Sequence, residues 1–230
     1  MEHLENVIAN IKNFKQENSL LELTIKDKFT YAPLKNFEGV KYGFAVFSEE
    51  EYEPHIESLN KYQYKHRYYH YEQFEPGNNK ANNDEVIFVM FNPSSACPDK
   101  DDPTIKNCRE LAKTKYCCME IINIFSERTP NVKDIQTEDI TTTKNYSFIK
   151  ELLKQRKSVD VIIAWGYGKE KKYKSQIEMI ENLLSNNKKY KITVTYDALK
   201  KIKNYDRHPA PTAWSTFGGF NTKTTELTEY

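Results

Sequence analysis

The chain has 230 residues, 34 basic and 33 acidic, for a formal net charge of +1. That length can bury a full core without disulfide or metal staples. The balanced charge excludes a protein that finds a polyanion through a global positive field, so contact with nucleic acid must come from a local patch.

In chain order, MEHLENVIANIKNF reads as an amphipathic helix over 3–17, without the apolar h-region of a secretory signal. No run approaches the length that spans a bilayer, and a cytoplasmic protein is expected. Strand candidates follow at Leu20–Ile25 and Tyr42–Phe47. In KYQYKHRYYHYEQF (61–74), tyrosines alternate with basic residues. This reads as an edge strand with one wet face, with a basic-aromatic surface for nucleic acid as the alternative. PGNNKANND (76–84) is a polar loop. Residues 1–80 are expected as an N-terminal extension packed on a core formed by 81–230, within one domain overall.

From residue 85 the pattern sharpens. EVIFVMF (85–91), CCMEIINIF (117–125), DVIIAWG (160–166) and KITVTY (191–196) are short apolar runs, as in strands buried on both faces. Helices are expected through about Lys115, with Asp102 or Thr104 as cap and Pro103 in the first turn, then over 144–157 and 170–186. Strands alternating with helices predict an α/β protein, a three-layer α/β/α domain around a central, mostly parallel four-stranded sheet. The lysines of 144–203 read mainly as a solvated helix face. Cys97, Cys108, Cys117 and Cys118 include no C-x-x-C pair, so reduced thiols and no metal are expected. Cys117 and Cys118, adjacent in a strand, are expected on opposite sides of the sheet.

In such folds ligands bind beyond the carboxyl ends of the strands. The chemistry-bearing residues fall there: Asn92 after the first strand, Asn123 late in the second, Trp165 after the third, and His208 after the fourth. Three segments, FNPSS (91–95), IINIF (121–125) and HPAPTAWSTFGGFNTKTTEL (208–227), occur in the order of the uracil-DNA glycosylase pattern, and the chain resembles that superfamily. FVMFNPSSACPDKDDPTIKNCRELA, with the later AWG and HP, also resembles a family known as a domain of unknown function (DUF1643), over roughly residues 65–225.

The glycosylase resemblance implies base excision from DNA by a monomer without cofactor or metal. The target base leaves the stack for a pocket, and water replaces it at an oxocarbenium-like sugar. His208 would stabilise the departing base as it becomes anionic; on its own, His-Pro is an ordinary turn. Asn92 would orient the water, with Asp101 or Asp102 as helping acids. Asn92 reads equally as an Asx-turn before proline, and Asp102 as a helix cap. Asn123 would read the base edge; the alternative is a buried amide satisfied by backbone. Phe125, Trp165 and Tyr167 would line the base site. Ser95, Thr212, Trp214, Ser215 and Lys203 would contact DNA.

The sequence departs from the glycosylase pattern at two places. Ser94 stands where a bulky tyrosine normally blocks thymine-like bases, and Thr212 stands where the pattern has a leucine wedge. The first leaves room for a substituted pyrimidine, such as the hypermodified cytosines of phage DNA, with anti-phage defence as the role. The competing readings are a nucleoside or nucleotide hydrolase and a non-catalytic DNA-binding module.

Overall fold

Ten strands form a single sheet in the computed structural model of the chain, which describes residues 2–17, 24–26, 29–48, 64–75, 84–94, 96–130, 132–135, 144–154, 156, 159–166, 172–187, 189–196, 201–203 and 225–229. The strands are β1 (Thr24–Lys26), β2 (Phe29–Pro33), β3 (Val40–Ser48), β4 (Arg67–Phe74), β5 (Glu85–Met90), β6 (Cys118–Asn123), β7 (Asp160–Ile163), β8 (Lys189–Tyr196), β9 (Lys201–Lys203) and β10 (Thr225–Glu229). Their order is β1-β2-β3-β4-β6-β5-β7-β8-β10, with β9 also paired to β8.

Strands β6, β5, β7 and β8 pair in parallel. All other pairings among the described residues are antiparallel. The expected four-stranded, mostly parallel sheet is thus corrected to a larger mixed sheet, mostly antiparallel by pairing. Strands β1–β4 come from the part of the chain read as an extension, and β10 from the part read as a polar tail.

Strand β4 shows why these were underestimated. It lies between β3 and β6 and is buried from Arg67 to Glu72, so it is neither an edge strand nor wet on one face. Its polar residues mimic the alternation of a half-exposed strand, but they face partners inside the protein rather than water.

Two apolar clusters separate the faces of the sheet. Helices α1 (Glu2–Glu17), α3 (Lys144–Lys154) and α4 (Lys174–Leu183) share the larger one, where Val7, Ile11, Phe148, Leu152, Ile177 and Ile180 join Ile87, Val89, Ile122 and Val161 of the strands. Helix α2 (Pro103–Ala112) covers the other face, setting Ile105, Cys108 and Leu111 with Val86, Phe88, Met119 and Ile121. Neighbouring strand residues therefore point to opposite clusters, as the two-residue period of a strand requires. None of the described helices is long and apolar enough to cross a membrane.

Helix α2 starts where its sequence says it should. The Asp102 carboxylate accepts hydrogen bonds from the backbone N–H groups of Thr104 (2.8 Å) and Ile105 (3.1 Å), and Pro103 occupies the first helical turn. These are amide donors that a helix start leaves unpaired. Asp102→Ala should therefore cost about 1 kcal/mol, read as a shift in the urea midpoint with an unchanged slope.

The connections set the position of the site. The chain leaves β5 for β6 by way of α2 on one face, and leaves β7 for β8 by way of α4 on the other. Adjacent strands whose connections diverge open a crevice beyond their carboxyl ends. Here the connections diverge between β5 and β7, with β6 alongside.

Candidate active site

The sheet ladder continues past the formal ends of these strands. Ile124 and Phe125 donate backbone hydrogen bonds to Met90 and Phe91, and Ala164 donates to Val89, each at 2.9 Å. This holds the segments that follow β5, β6 and β7 side by side. Asn92 is buried in this array, and its Nδ2 donates to the Thr129 carbonyl at 2.7 Å. That bond orients the amide, and Oδ1 is the pole left for a water or ligand. Two residues further, Ser94 adopts φ 51°, and Gly166 at the end of β7 adopts φ 89°. Glycine takes this left-handed region freely; for serine it costs of order 1 kcal/mol, a local strain typical of functional loops. Arg128 ties the β5 loop down: its Nη2 donates to Ala96 O (3.1 Å) and its Nη1 to Tyr64 O (3.0 Å).

Asn123 ends β6. It alternates with Ile122 and Ile124 of the larger cluster, so it lies on the face of α2. Only 1 % of it is exposed, yet neither its Oδ1 nor its Nδ2 has a hydrogen-bond partner. Trp165 Nε1 is buried and unpartnered as well. Native proteins rarely leave such groups unmatched, and each costs about 1–3 kcal/mol. The backbone behind Asn123 is held firmly, since Asn145 Nδ2 donates to both Asn123 O (3.1 Å) and Ile124 O (2.9 Å).

Residues 67–210 match a family described as "Protein of unknown function (DUF1643)". The chain belongs to the DUF1643 family. No curated protein and no solved structure matches it. The DUF1643 segment begins at the first residue of β4, takes in the strand ends that carry Asn92, Asn123 and Trp165, and leaves α1 and β1–β3 outside.

Within this DUF1643 fold the expected site residues are divided. Asn92, Ser94 and Asn123 gather at the ends of β5 and β6. Phe125 and Trp165 belong to the larger cluster on the other face. Phe125 packs with Phe91 and Tyr173 at ring separations of 5.0–5.4 Å, so its ring serves the core here. Asp101 and Asp102, expected as acids beside Asn92, are both engaged structurally. Asp101 receives Arg109 Nη1 and Nη2 at 3.0 and 2.9 Å, while Asp102 caps α2. Lys203 lies in β9, opposite Val194. Ser95, Tyr167, His208, Thr212, Trp214 and Ser215 lie outside the described residues.

Other polar residues reach the strand ends without having been expected there. Strand β4 extends backwards so that His66 bridges Glu127, and Arg67 donates its backbone N–H to Ser126 O at 2.9 Å. His66 Nδ1 lies 2.9 Å from Ser126 Oγ. Buried Arg67 has an Nε without a hydrogen-bond partner, and burial lowers its guanidinium to about 10. Nothing local marks these residues. SERTP (126–130) reads as a polar connection, and only its pairing with 64–67 carries it beside Asn92.

The same face of the sheet holds a buried ionic network. Arg109 of α2 donates through Nε (2.6 Å) and Nη2 (2.8 Å) to the Glu72 carboxylate, which His70 Nε2 also meets at 2.9 Å. Burial raises the Glu72 carboxyl, but the Arg109 and His70 hydrogen bonds outweigh it and hold the group below its ordinary value. Burial dominates for His70, whose imidazole is lowered and stays neutral.

Proposed function

We propose that this DUF1643 protein is a monofunctional DNA glycosylase. It hydrolyses the N-glycosidic bond of a flipped-out, modified pyrimidine and leaves an abasic site. The observation that carries this reading is the Asn123 amide. A buried amide with a free donor and a free acceptor, at a strand end beside a divergence of connections, matches the needs of a site that reads one polar edge of a planar ring. A base edge supplies both partners at once, whereas an empty interior supplies neither.

Asn92 gives this reading a second footing. Its Nδ2 is committed to Thr129 O, so Oδ1 presents a fixed acceptor to the water that attacks the sugar. An amide cannot take the proton as a carboxylate would, so bond breaking must run ahead of water attack, as an oxocarbenium-like path allows. His208, by its resemblance to the glycosylase histidine, donates to the base as negative charge develops on it. The small Ser94 leaves space beside the ring. This extends the reading to substituted pyrimidines, with hypermodified cytosine in phage DNA as the substrate class and host defence as the role. On this reading the protein acts in the cytoplasm, as a monomer without cofactor.

The test is incubation of the full chain with defined DNA duplexes, single strands and phage genomes carrying modified cytosines, scoring abasic sites by alkaline cleavage. Asn92→Ala and His208→Ala should each lower single-turnover cleavage about 10²–10³-fold. DNA binding without abasic sites on any substrate would replace this reading with a DNA-binding module. Release of base from free nucleosides alone would make the protein a nucleoside hydrolase.

A further inference from the structure

A second site lies at the opposite end of the parallel strands. A cavity of about 470 Å³ opens between α1 and the amino ends of β5 and β6, among Lys12, Lys15, Gln73, Cys117, Cys118 and Arg156. Its volume falls in the range of small-molecule sites. None of the residues around it serves the proposed glycosylase chemistry.

The sequence expectation for the two cysteines fails here, and the failure creates the site. Strand β6 begins at Cys118, so Cys117 precedes the regular alternation and both thiols line the same cavity. The Cys117 thiol donates to Asp84 O at 3.4 Å. Its interaction with the neighbouring Cys118 sulfur lowers Cys117 to about 7, while Cys118 is driven upward. A lowered thiol carries a larger share of the nucleophilic thiolate than an ordinary one. Cys117 is also partly exposed. The remaining cysteines contrast with it. Cys108 is buried, and burial raises its thiol well above the ordinary value. Cys97 is partly exposed, but its thiol is raised by burial and by donating to Asp99 Oδ1 at 2.9 Å.

The cavity wall defines the partner. Lys15 bonds Glu85 and Glu120 at 3.0–3.1 Å, and Arg156 reaches the same two carboxylates. Lys12 adds a third cation against these two anions, so the wall favours a negatively charged guest. Gln73 Oε1 is buried without a hydrogen-bond partner, which leaves it as an acceptor for an N–H. Thiol, surplus cation and amide acceptor together fit a small peptidic thiol bearing carboxylates.

We propose that Cys117 is a modification site for a low-molecular-weight, carboxylate-bearing peptidic thiol, held as a mixed disulfide in this cavity. The Cys117 thiolate attacks one sulfur of the corresponding small disulfide. The disulfide bond breaks, a bond from Cys117 Sγ to that sulfur forms, and the other half leaves as thiolate and takes up the proton that Cys117 gave up. Cys117 sulfur is oxidised and the departing sulfur is reduced, so the small disulfide is the only oxidant required.

The full chain is treated at neutral pH with oxidised glutathione or with uncharged 2-hydroxyethyl disulfide, and adducts are mapped by peptide mass spectrometry on the wild-type protein. A single early adduct at Cys117, absent from a folded Cys117→Ser variant, is expected. Lys12→Ala should slow the glutathione reaction about threefold to tenfold and leave the 2-hydroxyethyl disulfide reaction unchanged. An early adduct at Cys97, no adduct at Cys117, or an equal effect of Lys12→Ala on both reagents would overturn the proposal. Neither abasic-site formation nor its absence bears on this result.

Discussion

Glu72→Ala is expected to destabilise the protein by about 3–5 kcal/mol, the range for breaking one side of a buried ion pair. The Glu72 side chain is fully buried and takes two hydrogen bonds from Arg109 and one from His70. Its removal leaves the Arg109 guanidinium, only 1 % exposed, with Asp101 at the rim as its remaining carboxylate partner. The damage should reach beyond one strand, because this pair fastens α2 to β4 while the apolar face of α2 rests on β5 and β6. Glu72→Gln keeps an acceptor and should cost less. The double change of Glu72 to Leu and Arg109 to Met should cost far less than the two single changes together, since it removes both desolvated charges.

Acid adds a second readout. Both His70 and Glu72 are lowered in the folded chain, so the unfolded chain binds more protons as pH falls. The contribution of neutral His70 is complete above its ordinary value of 6.5 and declines below it. That of Glu72 is complete above its ordinary value of 4.5 and is lost as pH falls through its lower folded value. Stability should therefore rise with pH across both windows, and Glu72→Ala should flatten the lower one. Urea titrations from about pH 2 to pH 8 on both proteins check this; an unchanged midpoint in the variant would show that the network is energetically idle.

Asn123→Leu should do the opposite to stability and ruin function. The two side chains are close in size and shape, and leucine replaces an unpartnered donor and acceptor with methyl groups in an apolar strand. The expected gain is about 1–3 kcal/mol, or roughly 2–4 °C in melting temperature for each kcal/mol in a chain of this size. Base excision should fall by at least about 10²-fold, since the leucine offers nothing to the base edge. A site that binds substrate is kept polar at the expense of stability. If Asn123→Leu instead unfolds the chain more readily and leaves excision intact, the amide is a structural group and the proposed function loses its main support.

Much of the central architecture was legible because it is written in local pattern. EVIFVMF, CCMEIINIF, DVIIAWG and KITVTY are mostly apolar runs, and each overlaps a strand of the parallel group. Asp102-Pro103-Thr104 marked the start of α2 by the needs of its unpaired amides. Asn92, Asn123 and Trp165 could be placed at strand ends because each follows or closes an apolar run. Strand β4 was harder to read: His70 and Glu72 look like solvent-facing positions until Arg109 of α2 is brought against Glu72 and His70 pairs with the same carboxylate.

The sequence by itself determined the alternation of strand and helix, the cap of α2, and the chemical identity of the residues at the strand ends. Those follow from short-range rules of period, turn and capping. Tertiary structure alone decided that β1–β4 join the same sheet, that Asn123 lies on one side while Phe125 and Trp165 pack on the other, and that Cys117 and Cys118 share a cavity. These depend on pairing register between distant segments. One residue of register exchanges the faces of a strand, and no local pattern records which neighbour will be there.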